Sequence, residues 1–141
     1  MIFREAYIKD IPALSVLRLS VKENALSDPT RITYEMYENY LTGCGRGWLC
    51  EIDGETAGFS VASSEDASIW ALFVDERFEA RGIGKRLLKL ATDWLFDTGA
   101  DVIHLTTAVN TRADGFYESL GWKRGEIGKT GEVFYTLKKP K

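Results

Sequence analysis

The stretch from Ser68 to Val109 constrains the fold more than any other. It contains a β-branched and aromatic run, SIWALFV, then a charged loop with two closely spaced glycines, DERFEARGIG. A long helical segment and a second β run, VIHLTTAV, come after it. In the helical part Leu87, Leu88, Ala91, Trp94 and Leu95 keep the i, i+1, i+4, i+7, i+8 spacing of one buried face. Gly99 stands just past it as a stop. Strand, long helix, strand calls for a right-handed parallel crossover, which a helical bundle cannot contain.

The flanking segments read as antiparallel. MIFREAYI is a first strand. Asp10 precedes Ile11 and Pro12, and Ile11, Leu14, either Leu17 or Leu19, and Val21 recur at helical spacing to about Asn24. The polar break SDPT separates this helix from a second, from about Thr33 to Leu41, with Tyr37, Tyr40 and Leu41 on one side. GWLCEI and TAGFSVASS flank Asp53-Gly54, a strong hairpin signal. Glu65 and Asp66 form the next turn. After VIHLTTAV, Asn110 or Thr111 caps a short helix carrying Ala113, Phe116, Tyr117 and Leu120, closed by Gly121. WKRGEIG and EVFYTLKK form a last hairpin around Lys129-Thr130-Gly131. This order predicts an α/β (α+β) fold: a mixed, mostly antiparallel twisted sheet of about six or seven strands flanked by four helices. With no repeat, linker or low-complexity tract, residues 1–141 read as a single domain.

Composition sets the chemical limits. With 45% apolar residues, 28% charged residues and a net charge of −3, the chain can build a core and is not disordered. Its overall charge offers no strong field for nucleic acid. One histidine and two cysteines, Cys44 and Cys50, do not assemble a familiar metal cluster, so no metal is expected. Two free thiols fit a reducing compartment. No run approaches the roughly 18 apolar residues of a membrane span, and Arg4, Glu5, Lys9 and Asp10 argue against a signal peptide. The expectation is a soluble cytoplasmic protein with no membrane or nucleic-acid partner.

Against that acidic background the glycine loop is the one concentrated basic patch. Arg77, Arg81, Lys85, Arg86 and Lys89 crowd it, against Glu76 and Glu79. Gly82 and Gly84 let the backbone turn tightly, and the first amides of the following helix have no intrahelical partner, so a phosphate is a natural ligand. The spacing fits neither a Walker loop nor a dinucleotide fingerprint. By itself, the same loop is equally a turn leading into a solvated charged helix face.

VDERFEARGIGKRLL, Val74 to Leu88, resembles the acyl-coenzyme-A-binding motif of the GNAT family of N-acyltransferases, a strand ending in Val followed by Arg/Gln-x-x-Gly-x-Gly/Ala at the head of a long helix. NTRADGFYESLGW, Asn110 to Trp122, resembles that family's second signature. The two stand in the family's order with one strand between them, and the element order is similar from Phe3 to Leu137. The resemblance implies acetyl-CoA as cofactor. The main chain at Phe73 and Val74 would pair with the pantetheine arm. The amides of Glu79, Ala80, Arg81, Gly82, Ile83, Gly84 and Lys85 would hold the pyrophosphate, with charge from Arg81, Lys85 and Arg86. Phe116 would lie against the cofactor, Asn110 would orient the arm or the chain carrying Tyr117, and Tyr117 would protonate the leaving thiolate. Three positions depart from the pattern, the least consequential being Glu76, which replaces the usual proline of the preceding loop. Glu79 replaces Gln or Arg, and Ala80 replaces a frequent glycine. A carboxylate beside a pyrophosphate is unfavourable unless it turns away, so weaker binding or a rotated side chain is expected.

Acyl transfer to an amine needs a neutral nucleophile, a donor for the oxyanion and a proton for the thiolate. A backbone amide around Leu72 to Val74 is the candidate donor. His104, Glu65, Asp66 and Asp75 are candidate bases beside a simple water relay, although alternation on its strand favours a structural His104. The resemblance implies an acceptor pocket beside the central strands, lined by the first two helices and the last hairpin, which makes Tyr34, Tyr37, Trp70 and Tyr135 candidates; they read equally as core plus surface. The expected activity is acetyl transfer to a primary amine of a small molecule or peptide by direct attack in a ternary complex. Two alternatives are a non-catalytic acyl-CoA-binding or regulatory domain with the same fold, and a nucleic-acid-binding module using the basic patch. A homodimer built on the last hairpin is compatible with the sequence.

Overall fold

The computed structural model describes residues 1–20 and 33–140. The expected end of the first helix near Asn24 and the SDPT break lie outside the described residues. The elements are β1 (Ile2–Ala6), α1 (Ile11–Ser20), α2 (Tyr34–Thr42), β2 (Gly45–Ile52), β3 (Glu55–Ser63), β4 (Ser68–Val74), α3 (Ile83–Asp97), β5 (Val102–Ala108), α4 (Arg112–Ser119), β6 (Lys123–Ile127) and β7 (Glu132–Lys138). They form one seven-stranded sheet in the order β1-β2-β3-β4-β5-β7-β6. Every neighbouring pair is antiparallel except β4 and β5, the strands joined through α3. The mixed sheet with four described helices is the architecture expected from the element order.

Local chemistry explains the boundaries. Asp53 and Gly54 have φ of 51° and 82°, the two positive values that a two-residue type I′ loop requires, and Ile52 faces Glu55 across it. The Thr33 hydroxyl accepts from the Met36 amide to cap α2, and the Thr111 hydroxyl does the same for Asp114 at the head of α4.

Helices cover both faces of the sheet. On one, Ile83, Leu87, Leu88, Ala91 and Leu95 of α3 are buried against Cys50, Ala57, Ile103 and Leu105. Gly58 permits the close approach of α3, since a Cβ there would come within 3.0 Å of the Phe73 carbonyl oxygen and 3.2 Å of Ile83 Cγ2. On the other face, Ile11, Leu14 and Leu17 of α1 and Tyr37 of α2 pack on Leu49, Phe59 and Val61. Each fully buried aliphatic side chain contributes roughly 2 kcal/mol, so this packing rather than helix propensity holds α1 and α2.

Two irregularities mark β4. Val61 faces Ala71 while the next residue, Ala62, faces Ile69, so Trp70 is an extra residue in the strand. This bulge resets the alternation. Trp70, Ala71 and Phe73 pack with the α1–α2 layer, whereas Ile69, Leu72 and Val74 pack with the α3 layer. The second irregularity is the pairing with β5, which consists of one register position, Ser68 opposite His104. Beyond it β5 pairs only with β7, and the edge of β4 from Trp70 to Val74 has no strand beside it.

Candidate active site

The gap left where β4 and β5 part opens into a groove of about 270 Å³. Leu72, Phe73 and Val74 form its strand side, Phe78, Glu79, Ala80 and the stretch from Gly82 to Lys85 its loop side, and Arg112, Ala113 and Phe116 of α4 the opposite wall. Of the residues singled out by sequence, Phe73, Val74, Glu79, Ala80, Gly82, Ile83, Gly84, Lys85 and Phe116 meet here. Arg81, Arg86, Asn110 and Tyr117 are not among its walls. Arg81 stacks on the lining residue Phe78 at 5.4 Å, and Arg86 lies over the Phe3 ring at 5.2 Å.

The loop backbone is built to donate hydrogen bonds. Ala80 and Gly82 both take left-handed conformations, φ 63° and 79°, on either side of Arg81. Such alternation turns successive amides to one side, an arrangement that binds anions. The first internal bond of α3 runs from the Arg86 amide to the Gly82 carbonyl at 3.1 Å, which leaves the amides of Ile83, Gly84 and Lys85 without an intrahelical acceptor. Gly82 supplies no capping side chain, and no acidic residue occupies the first turn. Unfilled donors at a positive helix end fit a pyrophosphate.

The carboxylate expected to oppose that charge is neutralised. Glu79 forms an ion pair with Arg112 at the head of α4, a residue that pattern reading overlooked. Both line the groove, so the pair joins its loop wall to its helix wall. Glu79 therefore neither faces an anion alone nor stands free.

The candidate bases part company. Along β4, Ser68 and Val74 are separated by roughly 20 Å of strand. His104 sits at the Ser68 end, where its Nε2 lies 2.7 Å from the Asp66 carbonyl oxygen. It joins turn to strand there, the structural part that alternation favours. Asp66 bonds the Ser68 hydroxyl at the same end. Asp75 is beside the groove but occupied: it caps the turn Glu76–Phe78 and accepts from the Arg77 amide and guanidinium, which hold its carboxyl below the usual range. The ionisable groups on the groove wall are Glu79, Lys85 and Arg112.

Tyr117 is buried behind Phe116, among Trp122 and Tyr135. Burial, with Tyr135 adding to it, pushes its phenol well above the ordinary value, so it carries its proton at every neutral pH. Tyr135 is not available to an acceptor. Its hydroxyl donates to the carbonyl and carboxylate of Asp114, the carboxylate at 2.6 Å, and burial pushes it up to about 12. Asp114 also receives the Arg124 guanidinium at 3.0 Å and the Asn110 amide at 3.1 Å. Asn110, at φ 62°, thus makes the turn from β5 into the helix that carries Tyr117. Of the other acceptor candidates, Tyr37 is buried, Trp70 is half-buried and Tyr34 is exposed.

Comparison with known proteins agrees with this geometry. The model of the acetyltransferase (GNAT) family matches residues 13–122. An uncharacterized N-acetyltransferase of Methanocaldococcus jannaschii is 32% identical over 92 residues, covering 58% of this chain and 41% of that protein. The N-acetylaspartate synthetase of Danio rerio is 30% identical over 95 residues, covering 64% of this chain and 32% of that protein. The chain thus spans less than half the length of these curated relatives. Among solved structures, the PaiA N-acetyltransferase of Thermoplasma acidophilum in complex with coenzyme A superposes with a TM-score of 0.84 over 98% of each chain. At 16% identity that is a likeness of fold.

Proposed function

Since the chain belongs to the acetyltransferase (GNAT) family, we propose that it transfers an acetyl group from acetyl-CoA to a primary amine of a small molecule or peptide in a ternary complex. The observation that carries this reading is the groove where β4 parts from β5, which combines an unpaired strand edge with a helix start whose amides lack acceptors. The amides from Glu79 to Lys85 grip the pyrophosphate, and Arg81, Lys85 and Arg86 add positive charge nearby. The open edge at Phe73 and Val74 receives an extended amide-bearing arm as an added strand would. Acetyl-CoA supplies the acyl group as a thioester, whose C–S bond breaks as the C–N bond to the amine forms.

The protein's own part is to bind, align and move two protons. An amide of the Leu72–Val74 edge faces the acyl oxygen. Tyr117 gives its proton to the departing sulfur and is reprotonated from solvent. The amine loses its proton to water, in keeping with the distant His104 and the occupied Asp75. Phe116 packs against the bound arm, and Asn110 acts through the turn that sets α4.

Calorimetric titration with acetyl-CoA, with ATP as a control, tests the site. Saturable one-to-one binding is expected, and no binding up to about millimolar ligand overturns the reading. Turnover of an amine panel then separates an enzyme from a binding domain. Tyr117→Phe is expected to lower kcat by about tenfold to a hundredfold with acetyl-CoA affinity kept.

A further inference from the structure

A cation with no carboxylate partner among the described residues lies on the sheet face opposite the glycine loop. Arg18, on α1, places its guanidinium carbon 5.1 Å from the centre of the Trp70 ring and 4.9 Å from that of Phe73. Its Nε and Nη1 atoms are shut off from solvent and have no hydrogen-bond partner. The Tyr37 hydroxyl is equally buried and equally unpartnered. Tyr37 meets Trp70 edge-on at 5.2 Å, so all four side chains belong to one cluster. Burial raises the Tyr37 phenol, while the Arg18 charge and the approach of its guanidinium to the hydroxyl oppose that rise, so cation and hydroxyl face each other.

Buried polar atoms are nearly always paired, and a guanidinium whose buried N–H groups lack partners favours an anion beside it. Ring contacts answer part of the charge but leave the N–H groups unused. Here a guanidinium with two buried nitrogens and a phenol hydroxyl close to it are gathered in a single aromatic setting with no anion beside them among the described residues. The ligand that answers them is a planar anion with two acceptor atoms, since a carboxylate matches a guanidinium fork in shape and charge.

Phe73 connects this cluster to the groove, because it lines the groove and also carries Arg18. The Trp70 bulge puts Trp70 and Phe73 on the same face, away from α3 and its phosphate-binding start. An anion at Arg18 is thus separated from the cofactor's phosphates by the sheet. It sits next to the strand that presents the thioester.

We propose that the acceptor amine carries a carboxylate, held by Nε and Nη1 of Arg18 with the Tyr37 hydroxyl as a third donor. Arg18 is then a binding residue for one class of acceptor, amino-acid-like amines. This rests on the acetyltransferase reading, and its test separates the two.

Protein saturated with coenzyme A is titrated with glycine, alanine, aspartate, glutamate and phenylalanine, and with the corresponding carboxamides that lack the free α-carboxylate. Binding is read by calorimetry and transfer from acetyl-CoA by thiol release. At least one amino acid is expected to bind about tenfold or more tighter than its carboxamide, the scale of a charge-assisted hydrogen bond. Arg18→Gln is expected to abolish that preference, and Arg18→Lys to retain part of it. The acetyl-CoA affinity of each variant reports whether the fold survives. Equal binding of acids and amides, or a preference that persists in a folded Arg18→Gln, overturns the proposal. Preferential binding without acetyl transfer upholds the carboxylate site and counts against the enzymatic reading, whereas transfer to both forms alike does the reverse.

Discussion

Ala80 takes a backbone conformation that costs an L-residue with a Cβ about 1 kcal/mol, and it does so inside the loop that faces the groove. Ala80→Gly removes the clash but loosens the unfolded chain. The expected net effect is a stabilisation of up to about 1 kcal/mol, measured by thermal or denaturant unfolding. The neighbouring Glu79 sets a second test. With its partner removed by Arg112→Ala, the carboxylate faces the phosphate site alone, and acetyl-CoA should bind about three- to tenfold more weakly. Glu79→Gln removes the negative charge and should bind at least as tightly as the parent; both are read by calorimetry. The need for a positive φ near Gly82 was legible because glycine spacing is a local signal. The Glu79–Arg112 pair was not, since its members stand 33 residues apart and meet only when α4 folds across the gap.

Among the elements, α4 depends most on one side chain. Asp114 anchors it to β6 through Arg124 and to β7 through Tyr135. The Arg124 guanidinium, then the Tyr135 hydroxyl, hold its carboxyl far below the ordinary 3.8. A group depressed on folding contributes its full stability above its unfolded value and loses it as the pH falls towards the folded one. Stability should therefore be flat from neutrality to about pH 5 with respect to this group and decline below about pH 4. Asp114→Asn should cost about 1–3 kcal/mol at pH 7 by removing the charge that pairs with Arg124 and weakening the bond from the buried Tyr135 hydroxyl, and the parent–variant difference should shrink on acidification. Equilibrium denaturation at several pH values checks both. Sequence patterning found α4, its cap and its apolar stripe because these repeat within a turn or two. It offered Tyr135 as an acceptor-pocket residue because an inward tyrosine on a strand looks the same whether its hydroxyl meets a ligand or an aspartate.

Across the whole molecule, charge is unevenly spread. A chain of net charge −3 concentrates Arg77, Arg81, Lys85, Arg86 and Lys89 around one helix start. Acetyl-CoA affinity should fall as salt rises from about 0.05 to 0.5 M, because these side chains act through solvent and are screened, while the backbone grip persists. Titrations at three ionic strengths measure this, and an unchanged affinity would assign the binding to the amides alone. The order of strands and helices was readable because the parallel crossover and the hairpin turns are each encoded locally. The parting of β4 from β5 was not, since it arises when β5, paired along its whole length with β7 on its other edge, diverges from β4 after a single register position. That parting makes the sheet an unfinished object, with a seam between its two halves. Whatever lies in the seam joins them, so a bound ligand acts as a structural member as well as a reactant. At a ligand concentration about a hundred times its Kd the join is worth about 2.7 kcal/mol, so if acetyl-CoA is the ligand, as proposed, resistance to heat and proteases becomes a gauge of how much acyl donor surrounds the protein.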